Sequence, residues 1–265
     1  RGCRGEWGGG ERQAQRPTRR RAAGPVEQPT GEHGLGQGQG QVELAGPFEQ
    51  RAGVEPVAAG TAAALALFLA LAFAIERQGA VVGFDRALAD SLSMSLSTSL
   101  LWLLSWFTYL GDRNFLTAVS VLMTLFLLCR AQWGLALVCA VATGVGGALN
   151  WLLKHAFERV RPEHEHGYAS VAGWSFPSGH ASAAMAVYGM ACYLLWRLAP
   201  PAWRQPGLAV LAALIMAIGL SRILLQVHFA SDVLAGFAVS LAWLALCVAA
   251  AERLRASGGG RQRVQ

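Results

Sequence analysis

Six predominantly apolar stretches of the chain carry no Asp, Glu, Lys, Arg or His: residues 57–75, 114–129, 131–153, 181–196, 205–221 and 233–251. A helix of roughly 20 apolar residues is about as long as the hydrocarbon core of a bilayer is thick. Three of the runs reach that length unaided, and the others reach it with a few polar flanking residues. An irregular backbone cannot cross hydrocarbon with its N–H and C=O groups unpaired, so continuous runs of this kind are helices. The composition agrees. Only 14% of residues are charged and 54% are hydrophobic, with a mean hydropathy of +0.36, whereas a soluble domain carries about 25% charged residues. The expected fold is all-α, an integral membrane bundle of six transmembrane helices.

Residues 1–53 are rich in Arg, Gly, Gln and Glu, include "GLGQGQGQ" and have no core-forming period. They are expected to be a disordered tail, with no basic n-region leading into an apolar signal-peptide core. Residues 54–252 are then the six-span domain and 253–265 a short basic C-terminal tail. Residues 84–110 are ambiguous: "DSLSMSLSTSL" alternates as a strand would, yet Leu88, Leu92, Leu96 and Leu100 recur every fourth residue, as on a helix face. A lone strand among membrane helices has no partner. One or two interfacial helices are expected, with Trp102, Trp106 and Tyr109 near the headgroups.

The net charge of +6 does not point to nucleic acid, because the arginines cluster in the first 21 residues and at the ends of apolar runs. They serve instead to orient the chain. Arg130, Arg197, Arg204, Arg253 and Arg255 fall on one side of a six-span chain, and the positive-inside rule makes that side cytoplasmic. The polar loops 154–180 and 221–232 then face the periplasm or the outside of an inner membrane.

Those loops carry three clusters at span ends. The first is Lys154, Arg161 and Pro162, where Lys154 is the only lysine in the chain. The second is "SFPSGHAS", with Ser178, Gly179 and His180 opening a span. The third is "SRILLQVHFASD", with Ser221, Arg222, His228 and Asp232. Lys154, Arg161 and Arg222 supply cations, and the guanidinium fork matches phosphate. Ser178 and Gly179 at a helix start offer free backbone N–H groups and close backbone approach for an anion. His228 and Asp232 are spaced to share a helix face, so the carboxylate could fix the imidazole tautomer and leave the other nitrogen free to attack. His180 could protonate a leaving alcohol. Cations, a nucleophilic histidine, an orienting acid and an acid histidine together suit phosphoryl transfer through a phosphohistidine, with no metal required.

"KHAFERVRP" fits K-x6-R-P, "PSGH" fits P-S-G-H and "SRILLQVHFASD" fits S-R-x5-H-x3-D. In this order the three motifs resemble the type-2 phosphatidic acid phosphatase superfamily. The resemblance implies that Lys154, Arg161, Ser178, Gly179 and Arg222 bind phosphate, that His180 is the general acid, His228 the nucleophile and Asp232 its partner. It implies a lipid phosphatase without cofactor, acting on a monophosphate or diphosphate of a membrane lipid. Undecaprenyl diphosphate, phosphatidate and phosphatidylglycerol phosphate all remain open as substrates.

The same pocket could hold vanadate in a haloperoxidase, but those members are soluble and six spans argue otherwise. A transporter that binds phospholipid without hydrolysis has no use for His180, His228 and Asp232 together. Glu163, His164, Glu165 and His166 form an "EHEH" run whose alternating ligands lack fixed geometry, and they are expected to be a solvated loop. His155 is expected to be a bystander, and Ser221 either binds phosphate or caps a helix. Cys3, Cys129, Cys139, Cys192 and Cys247 include no CxxC, so neither a disulfide framework nor a zinc site is expected.

Overall fold

The computed structural model describes residues 47–163, 167–168 and 172–261. They form eight α-helices: α1 (Pro47–Glu76), α2 (Ala80–Ser93), α3 (Thr98–Phe107), α4 (Arg113–Cys129), α5 (Trp133–Phe157), α6 (Gly179–Leu198), α7 (Pro201–Leu224) and α8 (Ala230–Arg261). A short 3-10 helix, Thr108–Gly111, joins α3 to α4. No strand occurs among the described residues, and six helical segments are long and apolar enough to cross a membrane. The chain is an all-helical integral membrane protein. Helix reaches into both segments read as tails, since α1 begins at Pro47 and α8 runs to Arg261. The rest of the tail assigned to 1–53, and His164, Glu165 and His166, lie outside the described residues.

The ambiguous stretch is helical. The helix-period leucines prevail over the alternation, and α2 and α3 are separated only by the turn between Ser93 and Thr98. Trp102, Trp106 and Tyr109 lie exposed in a row of ring contacts. The apolar stretch Thr98–Cys129 would be long enough as one unit, but it breaks at Asp112. That residue is extended (φ −66°, ψ 146°), and its carboxylate caps α4 by accepting the Asn114 N–H at 2.8 Å.

Helix α6 lies at the centre and packs against α4, α5, α7 and α8, while α1 lies along α8. Around α6, Ala181, Ala184, Val187 and Tyr188 meet Ile215, Ile218, Val233 and Phe237. Where α1 meets α8, Phe68, Ala72 and Ile75 meet Ala235, Ala238 and Val239. Lipid is as apolar as leucine, so burial from water does not hold such helices together. Close packing through small residues does. Gly236 is one such residue: a Cβ there would lie 2.8 Å from the Ser178 carbonyl oxygen, so only glycine lets the start of α8 sit against the start of α6. Leu122, Leu137 and Met216 point outward, as a lipid-facing surface requires.

Because successive spans alternate in direction, the end of α5, the start of α6, the end of α7 and the start of α8 meet at one end of the bundle. At the far end Arg197 pairs with Glu252 at 2.8 Å. Arg130 and Arg204 lie over the rings of Phe126 and Trp196, the snorkelling posture of interfacial arginines.

Candidate active site

Helix α5 stops where Glu158 takes φ +43°, in the left-handed region common at helix ends. Beyond the helix end the Ser175 N–H donates to the Arg159 carbonyl at 2.7 Å. Arg159 and Arg161 both turn inward, and Val160 between them is exposed.

Arg161 reaches His228. Its Nη1 lies 3.1 Å from the imidazole Nε2 and 2.6 Å from the Val227 carbonyl oxygen, and its other nitrogens donate to the carbonyls of Gly173 and Trp174. A guanidinium only donates, so Nε2 is the unprotonated nitrogen and Nδ1 carries the proton. Nδ1 then donates to Ser175 Oγ at 3.3 Å, and the Ser175 hydroxyl donates to Asp232 Oδ2 at 2.5 Å. His228 itself stands 3.6 Å from Asp232 Oδ2, too far for a hydrogen bond. Ser175 bridges the acid and the imidazole by hydrogen bonds to both. Ser175 was not among the residues singled out, although it stands three positions before Ser178.

Helix periodicity does not bring His228 and Asp232 together either. His228 precedes α8, in a turn where Gln226 takes φ +55° and the N–H groups of Val227 and His228 return to the Arg222 carbonyl. Asp232 is the third residue of α8. Its Oδ2 reaches back to the Phe229 N–H at 2.9 Å, as an acid at that position does in a capping box. Burial holds His228 well below the ordinary imidazole range, at about 3, against the opposing pull of Asp232. Burial also lowers Arg161 from its usual value, again opposed by Asp232.

The start of α6 faces this pair. Ser178 caps the helix through its backbone, its N–H donates to the Asp232 carbonyl at 2.9 Å, and its Oγ is fully buried with no partner among the described residues. Arg222 is 1% exposed. Its Nη1 donates to Thr108 Oγ1 at 2.8 Å, while Nε and Nη2 have no partner among the described residues. Buried donors left unmatched are costly, so their presence calls for an acceptor. Lys154 donates to the carbonyls of Trp174 and Ser175 at 2.7 and 3.3 Å. A Cβ on Gly179 would come only as close as 3.6 Å to Asn150 Oδ1 and 3.7 Å to the Lys154 Cε. The missing side chain thus leaves room between the helix start and the lysine rather than relieving a clash. His180 packs on Gly111 and lies within electrostatic reach of Arg222, His228, Arg161 and Lys154.

The three sequence clusters therefore converge on one place. Ser221 does not join them, since its hydroxyl donates to the Ile218 carbonyl within α7. His155 faces outward against Trp151. No group of three metal-ligating side chains occurs among the described residues. Four of the cysteines, Cys129, Cys139, Cys192 and Cys247, are free.

Fold and geometry together define a class, that of a polytopic membrane protein with a buried site of cations and histidines at one end of its helical bundle. The chain matches the family model of the PAP2 superfamily over residues 133–256, which takes in all three clusters. It is similar to phosphatidylglycerophosphatase B of Bacillus subtilis, with 32% identity over 182 residues, 66% of this chain and 86% of that one. It is similar also to decaprenylphosphoryl-5-phosphoribose phosphatase of Mycobacterium tuberculosis, with 33% identity over 139 residues, 51% of this chain and 67% of that one. The crystal structure of a transmembrane PAP2 type phosphatidylglycerolphosphate phosphatase from Bacillus subtilis superposes with a TM-score of 0.66 at 29% identity, covering 73% of this chain and 96% of that one. The chain belongs to the PAP2 superfamily and is a membrane phosphatase of that type.

Proposed function

We propose that this protein hydrolyses a phosphomonoester or diphosphate of a membrane lipid through a phosphohistidine at His228. The observation that carries the reading is the set of unmatched buried donors. Arg222 Nε and Nη2 and Ser178 Oγ, beside the first backbone N–H groups of α6, supply hydrogen bonds to a tetrahedral oxyanion where water has little access. The names of the two curated relatives both describe phosphatases of phosphorylated lipids, which supports a lipid phosphate as substrate.

In this mechanism a phosphate oxygen takes over the Arg161 Nη1–H that now meets His228 Nε2. The exchange frees the Nε2 lone pair. It attacks phosphorus as the bond to the leaving oxygen breaks, and His180 gives that oxygen a proton. Ser175 and Asp232 hold the imidazole through Nδ1 as it becomes positive. Lys154, Arg161, Arg222, Ser178 and the Gly179 backbone bear the equatorial oxygens. Water, losing its proton to His180, then cleaves the N–P bond and releases inorganic phosphate. The cations carry the electrostatic load, so no metal is required. The active site faces the periplasm across an inner membrane, which suits recycling of a carrier or glycerophospholipid phosphate.

The test is phosphate release by the purified protein from phosphatidate, phosphatidylglycerol phosphate and undecaprenyl diphosphate, with and without EDTA. Release that survives EDTA and falls with vanadate, which mimics a phosphorane, is the expected result. Activity lost to EDTA and restored by magnesium would overturn the metal-free mechanism. No release from any of the three lipids would count against a lipid phosphate substrate.

A further inference from the structure

Arg159 lies outside the motif spacing, yet its side chain is 9% exposed and its guanidinium bridges two buried carboxylates. Nη1 donates to Asp232 Oδ1 at 2.6 Å and to Ser231 Oγ at 2.7 Å, and Nη2 donates to Asp85 Oδ2 at 2.8 Å. The fork lies over the Phe229 ring, 4.4 Å from its centroid. Asp85 comes from α2, is 2% exposed, and also accepts the Ser231 N–H at 3.1 Å and the Ser231 hydroxyl. Asp232 therefore divides its two oxygens between separate partners. Oδ2 serves Ser175 and the Phe229 N–H, and Oδ1 serves Arg159.

We propose that Arg159 is a positioning residue for the reaction: it fixes the Asp232 carboxylate that orients the nucleophile, and Asp85 anchors it to α2. This rests on the reading of His228 as nucleophile and Asp232 as its partner. The physical argument is one of geometry and charge. Two buried carboxylates need a compensating cation with hydrogen bonds to both. A planar guanidinium can extend one arm to each, whereas a lysine ammonium is a single point charge on a flexible stem. Without the fork, Oδ1 has no donor among the described residues and the carboxylate can turn. The Ser175 bridge and the imidazole aim then turn with it. Arg159 meets carboxylates rather than the Ser178 and Arg222 donors, so it acts on turnover and leaves substrate affinity alone.

The experiment is a double-mutant cycle in kcat and KM on short-chain phosphatidylglycerol phosphate in detergent, with the full chain. Arg159→Met is expected to lower kcat on the order of 10²-fold, the scale of a small misplacement of a reacting group, with KM within about threefold. Arg159→Lys should recover only part of the loss, and Asp85→Asn should lower kcat less than Arg159→Met. In an Asp232→Asn background, Arg159→Met should cost less than about threefold more, because its route is already cut. Losses that multiply in the double mutant, or fall equally on KM, would overturn the proposal. So would a fully active Arg159→Lys, which also serves if Arg159→Met does not fold. If Asp232→Asn alone keeps the full kcat, the underlying mechanism fails instead, and the proposal with it.

Discussion

His228 is enclosed by Ser175, Arg161 and the turn from Arg222, and that enclosure decides its charge before any substrate arrives. A nucleophilic imidazole must keep its lone pair, and burial holds this one near a value of about 3, so it stays neutral across the physiological range. The consequence for stability has a definite sign. An unfolded chain protonates this histidine below about 6.5. Between there and about 3 the unfolded state holds a proton that the native state lacks. Unfolding free energy therefore falls as pH is lowered through this window, by up to about 1.4 kcal/mol per unit from this group. His228→Asn removes that dependence. The melting temperature of the native protein relative to His228→Asn should drop as pH goes from 7 to 4.5 in detergent. A constant difference would mean a native His228 that already carries its proton. His180 is separable by leaving group. General acid help is worth roughly 10²–10⁴-fold, and an aryl phosphate needs it little. His180→Ala should lose far more rate on a lipid monophosphate than on para-nitrophenyl phosphate. Equal losses on both would remove His180 as the acid.

At the scale of the elements, the helix starts and ends do the assembling. The start of α6 was legible, because Pro177, Ser178 and Gly179 ahead of an apolar run mark a helix N-terminus, and α6 begins at Gly179. The third cluster was legible as a set of residues but not in its geometry. The spacing of His228 and Asp232 read as one helix face, while the chain turns through Gln226 and begins α8 only at Ala230. Ser175, Arg159 and Asp85 escaped the sequence reading for a related reason. Each acts through a partner distant in sequence, and spacing reports only neighbours along an element. Arg159 did carry a faint signal, since it stands two positions from Arg161 in a segment that Pro162 biases toward extension. Gly179→Ala tests the role of the α6 start. A methyl there meets protein atoms no closer than 3.6 Å, so the melting temperature should hold or rise, by about 0.4–1 kcal/mol of stability at most. Phosphatase kcat/KM should fall by about tenfold or more as the phosphate-facing space fills. A stable, fully active variant would remove Gly179 from the phosphate site.

The described spans keep Asp, Glu, Lys and Arg to the two ends of an apolar bundle, and that division made the architecture readable from uncharged runs alone. The proposed sidedness rests on the arginines. Arg130, Arg197, Arg204, Arg253 and Arg255 mark the end away from the site, so alkaline phosphatase fused at Gly167 should be active and fused at Arg204 inactive. The reverse pattern would place the site in the cytoplasm. The central claim is that phosphate passes through His228. Rapid quenching of the enzyme with a radiolabelled phosphoester should trap an acid-labile, base-stable label on the peptide that contains His228. His228→Asn should trap none and turn over neither lipid nor aryl substrate. Label retained in His228→Asn, or steady turnover by that variant, would contradict the account.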